Sequence, residues 1–585
     1  MSSQIKLLDI ELSQPIATIA NLDGYDTLQG LVKLRGTPIG GIQVPIANGC
    51  CPAAILTEAI LLRCSRAIAQ QSVFDRLGNP STNWNDSTPA LDWLQPETAH
   101  PMPLSVSVVF CVESENLAIS ECLASLETIA PVAHEIFVVE SNPTSDTLAQ
   151  LLASHYPHFR YLQASGMNAA RNLATATAQG DIVAFTEAQC HVDANWLNAI
   201  ATSFDRNPEA IALTGLVVTN LLETETQNAS EQYSFNHGFD RRWHHLSQTP
   251  HWRDFGTMQL RTKLNMAFRR TALAYLGGFD EALVYGGELD LFCRVLLSGQ
   301  MLIYEPSAIV RYHPAPMPAA LHEQAKRNGL GFAAYLKAIW LKYPQYRRQI
   351  AVLGGWKLAR SLLALRHNRL MATELQSNWH GFASGQSSNH FLAKLPVTTR
   401  LTAVREVNLS EPLPTWTDLR EYEAVRVYVI AAGWPIGSVD IQHRGQVVSA
   451  RRLQDAIAQT LTLPLLAIPY QHDQQAAWAA IEIQLRQALR AEFSAELPVA
   501  SQTLAPDLPV SIVITTCDRP DDLRNCLTRL LAQQTQRPIE IVVADNRPHS
   551  NLTPPVIAEF PTVKFGAGST SGRILWPQRR DRGND

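Results

Sequence analysis

The chain has 585 residues, 46% hydrophobic and 17% charged, with 48 basic and 53 acidic side chains and a net charge of −5. That length predicts several domains at ~100–200 residues each, the composition is that of a folded chain, and the slight acidic excess excludes a basic field for sequence-independent binding of nucleic acid. No apolar run approaches the ~20 residues of a membrane span, the start MSSQIKLLDIELSQ lacks the parts of a signal peptide, and nine scattered cysteines form no CxxC pair or zinc spacing, which predicts reduced thiols and a cytoplasmic protein.

Residues 1–77 predict an accessory module. Its strands alternate toward a G-x-P-I-G turn (Gly36–Gly40) and lead into a helix striped by Leu56, Ala59 and Ile60. Proline fixes φ and glycine supplies positive φ, so the turn reads as a β-hairpin connection. Residues 78–103, rich in Pro, Asn, Ser and Thr, predict a linker.

From residue 104 to 345 short apolar runs alternate with helical stretches. Strands are predicted at Ser105–Cys111, Glu135–Glu140, Phe159–Leu162, Asp181–Thr186 and Ala210–Val218, with helices at Asn116–Leu126, Asp146–Ser154, Ala169–Ala178 and Asn195–Phe204. Near-continuous apolar strands predict a mostly parallel sheet covered by helices on both faces, an α/β fold. Ligands of such sheets bind beyond the carboxyl ends of the strands, where Glu113, Glu140 and Thr186–Cys190 fall. Leu321–Leu341 predicts an amphipathic helix carrying Lys326, Arg327 and Lys337, a candidate for peripheral contact with an anionic membrane surface. Residues 346–420 predict a helical extension and linker.

A second accessory module is expected at 421–497. Tyr25–Ile60 aligns without a gap to Tyr422–Ile457 with ten identities, among them Gly36/Gly433, Pro38/Pro435, Ile39/Ile436 and Gly40/Gly437. An internal repeat of this kind marks a duplicated structural unit. A linker at 498–509 leads to a second α/β start at 510–565. There VSIVITTCDRPDDLRNCLTRL (from Val510) repeats VSVVFCVESENLAISECLASL (from Val106), and EIVVADNRP (from Glu540) repeats EIFVVESNP (from Glu135). So short a piece cannot bury both faces of a parallel sheet and should leave an apolar, unpaired edge. The tail 566–585 is expected to be disordered.

Taken in order, VSVVFCVES, EIFVVES, AARN (Ala169–Asn172), GDIVAFTEAQCHVDANWL (Gly180–Leu197), NMAFRRTAL (Asn265–Leu273), GGFDEAL (Gly277–Leu283), GGELDLFCRVLLSG (Gly286–Gly299) and YEPSAIVRYH (Tyr304–His313) resemble the family-2 glycosyltransferases, which have the GT-A fold. The resemblance implies transfer of a sugar, with inversion, from a nucleoside-diphosphate sugar to a hydroxyl of a glycan or lipid-linked acceptor. Peripheral contact with the inner face of the membrane would suit a lipid-linked acceptor. Glu288 stands at the position of the family's catalytic carboxylate, at a helix N-terminus that favours negative charge. Asp290 is expected to orient it or to face solvent. On the donor side the resemblance implies Glu113, Glu140, Arg171, Asn172, Glu187, Gln189 and Arg294. Arg294 either pairs with Asp290 one turn away or faces the diphosphate. Trp243 and Trp252 are candidates to stack on the acceptor.

The family's DxD segment, which holds a divalent metal, reads Glu187-Ala188-Gln189 here. A neutral Gln189 in place of a carboxylate should weaken Mg²⁺ or Mn²⁺ binding. With His313 it completes the expected metal set. The departures leave two functions open: an active transferase, or a catalytically impaired sugar-nucleotide or glycan-binding domain of a truncated two-core enzyme. The second α/β start has Asp545 where the first has Glu140, but it lacks an ARN-like segment after its third strand. Residues Arg573–Asp585 can be back-translated with permitted codons so that a one-base forward shift reads VSYGRNAGIAAM. A frameshift that cut short a second transferase core is the expectation this raises.

Overall fold

The computed structural model describes residues 4–86, 102–113, 119–143, 145–219, 238–246, 250–256, 262–313, 318–364, 377, 401–491, 510–533, 535, 538–547 and 550–567. The expected linker at 498–509 and the tail from 568 onward lie outside the described residues. The chain divides into two units, 1–494 and 495–585.

The first unit begins with strands β1 (Ile5–Glu11), β2 (Thr27–Leu34) and β3 (Thr37–Pro45) and helix α1 (Ala53–Leu77). β1 runs parallel and β3 antiparallel to β2. The connection between β2 and β3 is the two-residue turn Arg35-Gly36, with φ of 51° and 76°, the double positive φ that suits strand twist. Pro38 and Gly40 therefore sit in β3, past the turn, and the ladder slips by one residue between Lys33↔Pro38 and Val32↔Gly40. Gly40 is needed for close approach: a Cβ there would lie 2.5 Å from Cys64 Sγ on α1.

The α/β core follows. In chain order it contains β4 (Val106–Val112), α2 (Ile119–Ile129), β5 (Glu135–Ser141), α3 (Thr147–His155), β6 (Arg160–Ala164), α4 (Met167–Thr177), β7 (Ile182–Glu187), β8 (Cys190–Val192), α5 (Trp196–Arg206) and β9 (Ala210–Thr219). Then come β10 (Arg242–His244), α6 (Trp252–Gly256), β11 (Met266–Arg269), α7 (Arg270–Tyr275), α8 (Gly287–Leu297), β12 (Met301–Tyr312), α9 (Pro318–Lys342) and α10 (Arg347–Ala364). The nine-stranded sheet has the order β10-β12-β9-β11-β7-β4-β5-β6, with β8 against β12. β4, β5, β6 and β7 are mutually parallel, β12 is parallel to β9, and β11 lies antiparallel between β7 and β9. Every residue of β4 is buried, because one hydrophobic cluster covers each face of the sheet. Each strand and helix expected from the apolar runs is present, shifted by one to three residues.

The second accessory module consists of β13 (Thr402–Asn408), β14 (Ala424–Ala431), β15 (Trp434–Gln442), α11 (Ala450–Leu466) and α12 (Gln474–Ala491). It starts with β13, inside the span expected to be linker, and not at 421. The register of the repeat holds through the backbone: β13 begins at 402, 397 residues after β1 begins at 5, and β14 and β15 keep the same offset from β2 and β3. Ala432-Gly433 repeat the turn, with φ of 50° and 79°. The two modules do not stand apart. Leu56, Ile60 and Cys64 of α1 share one hydrophobic core with Leu453, Ile457 and Leu461 of α11. Arg241 fastens the second module to the α/β core, through Glu305 at 2.6 Å and Asp455 at 2.9 Å.

The second unit holds β16 (Val510–Thr516), α13 (Pro520–Leu531), β17 (Ile539–Asp545), α14 (Thr553–Ala558) and β18 (Lys564–Ala567), a parallel sheet in that order. β4 has a strand on both sides, whereas among the described residues β16 pairs with β17 alone. Val513 is 51% exposed, while Val109, its counterpart in the repeat, is fully buried. One face of this sheet is therefore uncovered within its own unit.

Candidate active site

The carboxyl ends of β4, β5 and β7 bring acids together. Val112 lies opposite Glu140, and Cys111 opposite Glu187, so Glu140 and Glu187 flank the end of β4. Two glycines then set the height of α8. Gly286 takes φ of 80°, and a Cβ on it would meet the Gly331 carbonyl oxygen of α9 at 2.3 Å. A Cβ on Gly287 would meet Asn168 Nδ2 of α4, also at 2.3 Å. Only glycine lets the first turn of α8 settle between α4 and α9. That puts Glu288 at the edge, half-buried and 3.9 Å from Arg171.

Arg171 organises the cluster. It is buried on α4, donates to Glu187 Oε1 at 3.0 Å and lies over the Phe279 ring at 5.3 Å. Lys263, which sequence reasoning missed, reaches the other oxygen of Glu187 at 3.1 Å. Burial would lower the Lys263 pKa, but Glu187 and Glu288 beside it outweigh that and raise it. No periodicity marks Lys263. The only signal was its position just before the Asn265-Met266 string. Glu113 accepts from Arg327 of α9 at 2.6 Å, and Glu140, buried, accepts from the Tyr161 hydroxyl at 2.7 Å.

Several expected site residues are placed elsewhere. Asp290 neither orients Glu288 nor faces solvent. It is buried, and pairs with Arg294 at 2.8 Å and with Lys342 at 3.1 Å. Arg294 also donates to the Leu276 and Gly278 carbonyls, so its guanidinium is committed to the scaffold and does not face a diphosphate. Asn172 holds the Phe279 backbone from both sides, at 3.0 and 2.8 Å. Its amide ties α4 to the following loop and does not reach into the cleft. Trp243 lies on β10 opposite Ile303, beside the amino-terminal half of β12, and packs on the core. Trp252 packs on Trp356 of α10, ring centres 5.4 Å apart. In the helix at Leu321–Leu341 two basic residues are in ion pairs, Arg327 with Glu113 and Glu323, and Lys326 with Glu323.

The expected metal set is also divided. Glu187 already lies between two cations, Arg171 and Lys263. The Gln189 backbone carbonyl accepts from His313 N at 2.8 Å, but the His313 ring stacks 4.0 Å from His191. A divalent cation at Glu187 would have to displace or repel two fixed positive groups, and Gln189 offers no charge to offset this. The residues at the Glu187–Gln189 segment do not fit such an ion. Among the described residues no helix is long and apolar enough to cross a membrane.

Acids and cations gathered at the carboxyl edge of an α/β sheet stand where such sheets bind their ligands. Residues 105–276 match the family model "Glycosyl transferase family 2", and so do residues 511–567. The core is thus similar to the family-2 glycosyltransferases over residues 105–276. Two curated relatives, both "Pre-mycofactocin glycosyltransferase" from strains of Mycobacterium tuberculosis, are 24% identical over 286 residues, covering 46% of this chain and 56% of theirs. The chain therefore spans little more than half the length of the curated relatives it matches. Among solved structures, a mannosyltransferase from Pyrobaculum calidifontis in complex with GDP-Man and Mn²⁺ is 17% identical, covers 55% of this chain and 88% of its own, and has a TM-score of 0.32. S. aureus TarS 1–349 in complex with UDP is 16% identical, with 48% and 90% covered and a TM-score of 0.29.

Proposed function

We propose that the core at 104–345 transfers a sugar from a nucleoside-diphosphate donor to a hydroxyl of a glycan or lipid-linked acceptor, with inversion and with Glu288 as general base. The observation that carries this is the placement of Glu288: a carboxylate on the first turn of α8, set at the sheet's carboxyl edge by Gly286-Gly287 and facing Arg171. In the reaction Glu288 takes the acceptor proton as the acceptor oxygen bonds to the anomeric carbon. The bond to the diphosphate breaks on the opposite face. Lys263, one-third exposed and beside Glu187, is the cation assigned in this reading to the leaving diphosphate. Donor binding should depend only weakly on Mg²⁺ or Mn²⁺, because Glu187 is already paired with Arg171 and Lys263.

A second reading has its own support. Glu187 and Glu288 balance Arg171 and Lys263 in charge, so this cluster has no surplus cation to draw in a diphosphate. That favours a domain that binds a sugar nucleotide or glycan weakly, without turnover. Transfer and donor hydrolysis by purified protein separate the two. Under the first reading Glu288→Gln keeps donor binding and loses ~10²–10⁴-fold in turnover. Turnover equal to the parent protein's removes Glu288 from the mechanism, and absence of turnover in both proteins, with donor still bound, establishes the second reading.

A further inference from the structure

We propose that Glu121, His191 and His313 form a transition-metal site, of the chemistry that takes Zn²⁺, separate from the Glu187–Gln189 segment. Each residue offers one ligand atom, and the three atoms all lie within 4.8 Å of one another. His191 Nε2 is 3.6 Å from Glu121 Oε2, and the two imidazoles are 4.0 Å apart. Ligand atoms around a tetrahedral Zn²⁺, with bonds of about 2.0–2.1 Å, stand ~3.3 Å apart. Closure needs the ligand atoms to draw together by up to about 1.5 Å.

The backbone fixes the two histidines. His191 lies opposite Arg311 in the pairing of β8 with β12, and His313 follows two residues later, its N–H held by the Gln189 carbonyl. Arg311, opposite His191 in that pairing, is held by Asp9 of the first accessory module. Two imidazoles and one carboxylate suit a borderline first-row ion, and suit poorly the hard Mg²⁺, which prefers oxygen alone. They leave a fourth position to water.

The three ligands come from the first turn of α2, from β8 and from the end of β12. These elements surround the Ala188 turn, to whose carbonyl Cys122 of α2 also donates at 3.0 Å. A bound ion would tie them together. The site does not depend on Glu288 being a base, since its readout is metal binding.

The test uses the full chain, stripped with chelator and titrated with Zn²⁺ and with Co²⁺. One equivalent should bind, Co²⁺ should give the visible absorption of a four-coordinate site, and the thermal midpoint should rise with Zn²⁺. His191→Ala and His313→Ala should each weaken binding by more than ~10-fold, at least the loss that removing an outer partner of a ligand causes. Glu121→Gln, at an exposed position, should weaken it too and serves if a histidine variant fails to fold. Glu187→Gln should leave it unchanged. No stoichiometric binding, binding that survives His191→Ala, or binding lost with Glu187→Gln but not with Glu121→Gln would each overturn the assignment.

Discussion

Asp290→Asn separates scaffold from chemistry on α8. Asp290, Asp280, Arg294 and Lys342 form a closed set of two anions and two cations, with side chains 1%, 0%, 0% and 6% exposed. Asparagine keeps the shape and removes the charge, so Lys342 keeps the Asp280 carboxylate and Arg294 loses the Asp290 carboxylate it pairs with. Removing one partner of a buried pair costs ~3–5 kcal/mol. Arg294 keeps its Leu276 and Gly278 carbonyls, which places the expected loss at the lower end, about 3 kcal/mol. Glu288, two residues earlier, has among the described residues no cation closer than Arg171 at 3.9 Å, and Glu288→Gln should change stability by no more than ~0.5 kcal/mol. Urea unfolding of both variants followed by circular dichroism, beside donor turnover, reads both quantities. Asp290→Asn should shift the midpoint strongly, and Glu288→Gln should lose turnover with the midpoint held. An unchanged midpoint in Asp290→Asn refutes the scaffold assignment, and so does a larger stability loss in Glu288→Gln.

Gly40→Ala should destabilise by ~1–3 kcal/mol, because its Cβ would lie 2.5 Å from the buried Cys64 Sγ. Gly437→Ala meets only the end of the Leu461 side chain, at 2.8 Å, and should cost less; equal thermal midpoints for the two would contradict this. Burial pushes the Glu305 pKa up, but Arg241 and Ser307 outweigh it and hold it below the ordinary glutamate value. A carboxylate so depressed contributes stability above its unfolded pKa of ~4.3 and loses it as pH falls through the folded value. Arg241→Met should therefore cost most stability above about pH 5, with the gap to the parent protein narrowing in acid; a gap that is constant with pH would argue against the pairing. Lys263→Met should weaken binding of a nucleoside diphosphate by roughly 10–100-fold, the worth of one charge-assisted hydrogen bond, and unchanged affinity by calorimetry would remove Lys263 from the donor side.

The parallel strands of the core were legible because burial on both faces writes a continuous apolar run, and β4 and β7 show it best. The first strand of each module was not. Only Ala403 and Val407 of β13 are buried, and the strand lies outside the window of identity, so nothing in its composition set it apart from a linker. Asp290 was misplaced, and Arg294 took its pairing with Asp290 and not the diphosphate side, for a geometric reason that the sequence does contain. At ~100° per residue, positions 288 and 290 point about 200° apart around α8, so Glu288 and Asp290 cannot line the same cleft, and Arg294, one turn beyond Asp290, follows Asp290 inward. Lys263 carried no signal beyond its place before the Asn265-Met266 string, because its role depends on the β7 end and the α8 start meeting in space.

The duplicated module shows what the sequence can and cannot encode about a site. Identity between the copies falls where the backbone demands it: Gly36 and Gly433 in the positive-φ turn, and Pro38, Gly40 and their partners Pro435 and Gly437 past the slipped ladder. Difference falls where each copy meets another neighbour. Lys33 pairs with Asp9 and with Asp193 of the core, whereas its aligned counterpart is Ile430. Glu58 and Asp455 also align, yet Glu58 pairs with Arg486 of the other module while Asp455 receives Arg241 of the core. The hairpin and helix could be read from one copy alone. The partner of each charge could not, because the copies occupy unlike places: one beside β12, where Arg311 is drawn away from His191 and His313, the other against the buried Arg241–Glu305 pair. Once the copies took unlike places, selection acted on those charges separately. A substitution in the repeat should therefore be judged by the neighbour of its own copy and not by its aligned twin.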